Sequence, residues 1–372
     1  MSKSSFKTEA APAQLKAPAR LFYLDWIRVI CTLLIVIYHF PLSLSGGTDW
    51  LHSTRNGRWG VAVVYVFFMI SGAALFHCYK NREDFSALRY LKKRWLRLFP
   101  LYYLAYLGGF LASFWVLGRT YDAIPSSAII WTIFGIDGYL ADIVPTFVMV
   151  GEWFLGAILF IYLLFPLLRS LCRRWGTGRM LVLFLVPALF FFYHNPIALI
   201  EVKKNLFVDI FFFLLGAWIG EKSDQGRFSS TLFRSVLFCI SLFWLLLWIF
   251  VPFPELSFSA GAAVSLLEFR VNLTDAAGAL MLYLFLLSQA SFFARFSGLR
   301  QAVFYLSRYT YGVFLVHHMT ESLICLHFQT QNFGNRNTLV LLVLCLAAIW
   351  AATAALYGTQ AYLRRAFLQV HT

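Results

Sequence analysis

Charge is scarce in this chain, and acid is the scarcer kind. Of its 372 residues 13% are charged, and 17 Asp and Glu stand against 31 Lys and Arg. Soluble globular chains carry about 25% charged residues, so the shortage argues against an ordinary soluble domain. The six cysteines are scattered (Cys31, Cys78, Cys172, Cys239, Cys325 and Cys345). They form no Cys-x-x-Cys pair and no Cys/His spacing of a zinc module, so neither a disulfide framework nor a metal site is expected. No internal repeat and no soluble appended domain is visible.

What fills the space is apolar. Hydrophobic residues make up 60% of the chain, 40 of them Phe, and the mean hydropathy is +0.71. Divided at polar breaks, the apolar runs make about ten segments long enough to span a bilayer. Their approximate limits are 21–42, 59–79, 96–117, 150–171, 179–194, 204–221, 232–252, 273–291, 302–326 and 338–362. The expected fold class is therefore all-α, a polytopic membrane helix bundle. Residues 1–20 are read as a disordered tail, 21–365 as the membrane domain and 366–372 as a second short tail. Residues 118–149, with Pro125 and Pro145 around an apolar middle, are expected to hold a re-entrant or interfacial helix.

The net charge of +14 would suggest nucleic acid in a soluble protein. Here its placement explains it better, and no nucleic-acid partner is expected. Most of the Lys and Arg fall in the N-terminal segment (Lys3, Lys7, Lys16, Arg20), after span two (Lys80 to Arg97) and in each second loop thereafter. The intervening loops hold few. By the positive-inside rule both termini face the cytoplasm.

Against this background Arg28 and His39 stand out within span one. Ionisable groups inside a span are costly and mark ligand sites or ion paths. Eleven steps of about 100° return His39 to nearly the face of Arg28, about 16 Å along the helix. Asp25, one turn before Arg28, is placed to pair with it. Arg94 and Arg97 share a helix face at the inner boundary. Glu152 opens span four, and His317 and His318 lie in span nine. Ser71 and Gly72 are small enough to let helices one and two approach closely.

These residues resemble the membrane acyltransferase-3 family. The resemblance rests on Tyr23-Leu24-Asp25-Trp26-Ile27-Arg28 with His39, on Phe67 to Gly72, and on Arg94-Trp95-Leu96-Arg97 running into Leu98 to Tyr103. It extends through Glu152-Trp153-Phe154-Leu155 with Tyr162 to Pro166, and through Tyr309 to His317. It covers about residues 21 to 362. It implies a bacterial-type inner-membrane enzyme that moves an acyl group, most often acetyl, from cytoplasmic acyl-CoA to a carbohydrate or lipid-linked glycan. No permanently bound cofactor is implied. The SGNH-type extracytoplasmic domain that some members append is not expected, so transfer is completed in the membrane domain or by a separate extracytoplasmic partner. Some stand-alone branches are described as polysaccharide exporters, which keeps export without chemistry as the alternative.

The chemistry suits these side chains. CoA phosphates need fixed cations, and the guanidinium forks of Arg28, Arg94 and Arg97 supply them. Lys92 and Lys93 are read as topology and lipid charges. Acyl transfer to a hydroxyl needs a base or an acyl-carrying nucleophile, and His39 serves either role. The pantetheine arm spans a distance on the order of the 16 Å helix separation, so phosphates at Arg28 put the thioester near His39. Asp25, Glu152 and His317 are candidates for supporting or acceptor-side roles, and His317 is favoured over His318 on the family pattern. Charge alternation predicts that a cysteine replacing Ser53 reacts with an impermeant thiol reagent in intact cells, and that one replacing Asn81 does not. The reverse labelling would invert the topology.

Overall fold

A chain surrounded by hydrocarbon must satisfy its backbone within each segment, and here helices do this. The computed structural model describes residues 20–44, 57–148, 150–194, 201–251, 262–328 and 335–370. The topology position Ser53 lies outside them. The helices are α1 (Phe22–His39), α2 (Trp59–Tyr79), α3 (Ala87–Trp115), the short α4 (Ile129–Ile133), α5 (Glu152–Trp175), α6 (Thr177–Tyr193), α7 (Leu206–Asp224), α8 (Thr231–Phe250), α9 (Ala262–Phe293), α10 (Ser297–Leu306), α11 (Thr310–His327) and α12 (Asn335–Val370). No strand occurs among the described residues.

Seven helices are long and apolar enough to cross a membrane: α1, α2, α3, α5, α8, α9 and α12. The chain is a polytopic helical membrane protein. The other three expected spans fall on α6, α7 and α11. The first is only 17 residues long, and the other two carry ionisable residues, including Asp209 and Glu221 on α7 and His317, His318 and Glu321 on α11. Two boundaries differ from expectation. The basic stretch before span three is helical and belongs to α3, whose N-cap Ser86 accepts a hydrogen bond from the Arg89 amide. The expected ninth span is two helices, broken at Ser307–Tyr309, so that the amphipathic α10 is set off from α11. Outward, α8 and α12 present large apolar side chains such as Phe250, Phe243 and Leu339, as lipid-facing helices do.

The tightest packing is between α2 and α7, at the level of their backbones. A Cβ on Gly72 would lie 1.8 Å from the Phe213 carbonyl oxygen, and one on Gly216 would lie 2.0 Å from the Met69 carbonyl oxygen. The expectation that Gly72 brings helices one and two together is thus corrected: its bare face serves α7. Without a hydrophobic force between helices in lipid, such small-residue contact is what draws them together. Tyr65 stacks on Phe212 across the same interface, with ring centroids 4.1 Å apart.

The segment between α3 and α5 carries a 3-10 turn (Ser126–Ala128), α4 and further turns, and is tied back to α3 by tyrosines. Tyr102 donates to the Thr132 carbonyl (3.1 Å) and Tyr103 to the Ile133 carbonyl (2.8 Å). Asp137 accepts from the Thr132 hydroxyl and the Gly138 amide, each at 3.0 Å. The segment then abuts the start of α5, where a Cβ on Gly138 would lie 2.5 Å from the Glu152 carbonyl oxygen.

Gly72→Ala and Gly216→Ala each push a methyl group into a facing backbone and should cost about 1–3 kcal/mol. Gly108→Ala, with nothing within 4 Å of the new Cβ, should be neutral or slightly stabilising. Thermal unfolding of the purified variants in detergent separates the two cases.

Candidate active site

A cavity of about 480 Å³ enters the bundle between α1, α2, α3, α5, α11 and α12. Along α1 it is lined by Arg28, Thr32, Ile35 and Val36, the stripe that returns every three to four residues. His39 lies one further turn along this stripe. It is the last residue of α1, because Pro41 has no amide hydrogen and the chain tightens into a 3-10 turn over Phe40–Ser43. The middle of the cavity is apolar, with Phe67, Leu101, Phe154 and Ile158 on its walls.

The mouth is basic. Arg28, Arg94, Arg97, Arg308 and Arg364 all line the cavity, and no Asp or Glu does so among the described residues. Each of the first three is held differently. Arg28 Nη1 contacts Asp25 Oδ1 at 3.1 Å. The other oxygen of Asp25 is taken by Arg20 Nε at 2.5 Å, and Arg20 also donates to Ser307 Oγ and the Phe304 carbonyl. Asp25 is therefore a shared anion that fixes Arg28 and staples the start of α1 to the end of α10. Arg94 lies over the rings of Tyr79, Tyr90 and Tyr162, 5.2–5.7 Å from their centroids. That aromatic cage offsets the cost of desolvating the cation. Arg97 is exposed at the rim. Tyr311 donates to the Leu98 carbonyl and Tyr357 to the Arg308 carbonyl, knitting α11 and α12 to α3 around the opening.

One imidazole, that of His317, lines the cavity, and His39, His318 and Glu152 cluster beside it. His317 is 1% exposed and lines the cavity. Its Nδ1–H donates to the Phe314 carbonyl at 2.8 Å, which leaves a lone pair on Nε2. The rings of His39 and His317 lie 5.2 Å apart, and those of His39 and His318 4.8 Å apart. Glu152 Oε1 is 3.3 Å from His39 Nε2 and 3.2 Å from His318 Nε2. Three buried atoms here have no hydrogen-bond partner: His39 Nδ1, His317 Nε2 and Glu152 Oε1. Polar atoms buried without partners are costly, and their convergence at the end of a cavity marks a place for a ligand.

Glu152 reaches this position on a strained backbone. Its φ of +45° is the only positive value for a non-glycine residue among those described. Such a conformation costs on the order of 1–3 kcal/mol and persists where surrounding structure holds it. Gly151 before it, at φ +78°, and the segment packed on its carbonyl do so. The carboxylate also opens α5, where the helix dipole favours an anion. One ligand atom each from His39, Glu152 and His317 lies within 4.8 Å of the others, a set also able to hold a metal ion.

The profile of one protein family, described as an acyltransferase domain, matches residues 21–357. The chain belongs to that family. No curated protein and no solved structure matches it. Membership makes the protein a membrane acyltransferase.

The acyltransferase structure brings Arg28, Arg94 and Arg97 to one cavity and clusters His39, Glu152 and His317, of which only His317 lines that cavity. Asp275 stands apart, paired with Arg58 at 2.7 Å, and Asp209 is buried in the first turn of α7. Sequence reasoning missed Arg308 and Arg364 at the mouth, Arg20 on Asp25, and the contact of His318 with Glu152. The juxtaposition of Arg308 with Arg94 had no local signal, since it depends on the break between α10 and α11. The adjacency of His318 to His317 was visible, but nothing local said which face each would take.

Because Asp25 holds two arginines, Asp25→Ala should lower stability by about 1–3 kcal/mol, less than a fully buried pair because both arginines keep some solvent. Asp25→Asn should cost less. Thermal unfolding and donor affinity measured on the same samples check this; wild-type values for Asp25→Ala would show that the pairing does not organise the mouth.

Proposed function

We propose that this acyltransferase takes an acyl group, acetyl by preference, from cytoplasmic acyl-CoA to a hydroxyl of a carbohydrate or lipid-linked glycan in a bacterial-type inner membrane. The observation that carries the reading is a single cavity with an arginine mouth and unsatisfied imidazole nitrogen at its closed end. A nucleotide with several phosphates suits the mouth, because guanidinium groups bind phosphate with paired hydrogen bonds. The apolar middle suits the pantetheine arm, and the length along α1 from Arg28 to His39, about 16 Å, suits its reach.

At the closed end the acceptor hydroxyl attacks the thioester carbonyl carbon. His39 takes the hydroxyl proton as the new C–O bond forms. The C–S bond then breaks, and the leaving thiolate receives that proton, so that the products are an ester and the free thiol of CoA. Glu152 beside His39 orients the ring and stabilises the imidazolium while it carries the proton. The stripe of α1 residues lets one helix set both the phosphate anchor and the base.

The two ends predict separable defects. Loss of one charge-assisted phosphate contact is worth about 1.5–3 kcal/mol, so Arg97→Ala should bind CoA about ten- to a hundredfold more weakly. His39→Ala should bind CoA nearly normally while transfer falls by about a hundredfold or more. His39→Gln should not restore it, since an amide cannot take the proton. Calorimetric CoA binding and single-turnover transfer to candidate glycans, on variants of matched thermal stability, provide the measurement. Wild-type transfer by His39→Ala would remove the base from the scheme. Glycan export without acyl transfer by the wild type would replace the enzyme with an exporter.

A further inference from the structure

His317 and His318 are neighbours in sequence but not in surroundings. His317 is 1% exposed and lines the donor cavity, with Nε2 unpartnered at its closed end. His318 does not line that cavity. Its side chain is 41% exposed, and its Nε2 lies against Glu152 Oε1 at 3.2 Å. About 100° of helix rotation separates the two residues, enough to place them on different faces of α11. His39 adjoins both, its ring 5.2 Å from His317 and 4.8 Å from His318, and the two α11 rings are 5.8 Å apart.

In the same layer two helix ends meet the middle of α11. His39 closes α1, Glu152 opens α5 after the segment tied to α3, and His318 lies beyond the cavity-lining part of α11. His39 and Glu152, like His318, do not line the cavity; of this group only His317 does. A ligand entering past the arginines reaches His317 but not His318. A ligand outside the cavity meets the exposed side chain of His318, with Glu152 Oε1 at 3.2 Å and the His39 ring beside it.

We infer that His318 is the acceptor-binding residue: it receives the acceptor hydroxyl from the face opposite the donor cavity and holds it toward His39, while His317 faces only the donor. This rests on the donor reading given above. The acceptor it fits is a hydroxyl compound too large or too polar to pass the apolar middle of the cavity, as a glycan is. His318 contributes a hydrogen bond to that hydroxyl and no bond-breaking step; the proton goes to His39 and on to the CoA thiolate as before. The shared carboxylate of Glu152 couples the two rings, so that seating the acceptor and orienting the base are one event.

The test uses the full-length protein in sealed membrane vesicles of both orientations. In a background lacking the six native cysteines and retaining transfer activity, His317→Cys and His318→Cys are exposed to an impermeant charged thiosulfonate. The probe for the donor is a non-transferable CoA thioether. His317→Cys should label only from the arginine-mouth side and be protected by the thioether. His318→Cys should label from the opposite side and not be protected. In otherwise native protein, His318→Ala should raise the acceptor KM about three- to tenfold, the scale of one lost hydrogen bond, with CoA affinity unchanged. His318→Gln should largely restore that KM, because an amide can still hydrogen-bond a hydroxyl. Labelling of both cysteines from one side, protection of His318→Cys by the thioether, or an unchanged acceptor KM in His318→Ala would overturn the inference. Failure of the wild type to bind the thioether at all would instead overturn the donor reading, and is told apart by calorimetry before any cysteine is introduced.

Discussion

A charged or polar group inside a helix bundle in lipid must find a partner, and that constraint organises this protein. Asp25 is enclosed by Arg20 and Arg28. Arg94 is wrapped by three tyrosine rings. Arg169 donates to the carbonyls of Tyr79 and Arg82, and Lys204 meets Asp142. These contacts tie the ends of helices together where the apolar spans cannot specify position, since one lipid-facing surface packs against another with little preference. At His39, His317 and Glu152 the pairing is incomplete, and the three side chains lie close together.

The site depends on elements that carry none of its chemistry. The Gly72–Gly216 contact sets the spacing of α2 and α7, and α2 in turn forms a wall of the cavity through Phe67, Ser71 and Ala74. The tyrosines of α3 hold the segment that presses on Glu152 and keeps its backbone in the left-handed region. A strained residue placed between two histidines is expected of a functional position, because the strain is maintained only by a surrounding that overdetermines it. The stability of the whole bundle is thereby linked to the aim of a single carboxylate.

The order of polarity along the cavity matters as much as its members. Cations lie at one end, aromatic and aliphatic walls in the middle, and the His317 imidazole at the other. An extended ligand with an anionic head and a reactive tail can enter in only one direction, and orientation of that kind supplies much of what positioning contributes to rate.

Much of this was legible in the chain itself. The apolar runs marked the helices, and the spacing of Arg28 and His39 placed both on one face of α1. The spacing of Arg94 and Arg97 did the same for α3. These are local matters, decided by a helical repeat of 3.6 residues and by the length of a span. What the repeat could not supply is which faces meet. Only the tertiary structure turned Gly72 toward α7, broke the ninth apolar run so that Arg308 joined the mouth, brought Arg364 from the far end of the chain beside Arg28, and set His318 rather than His317 against Glu152. Those outcomes depend on complementarity between segments far apart in sequence, where no periodicity connects one partner to the other.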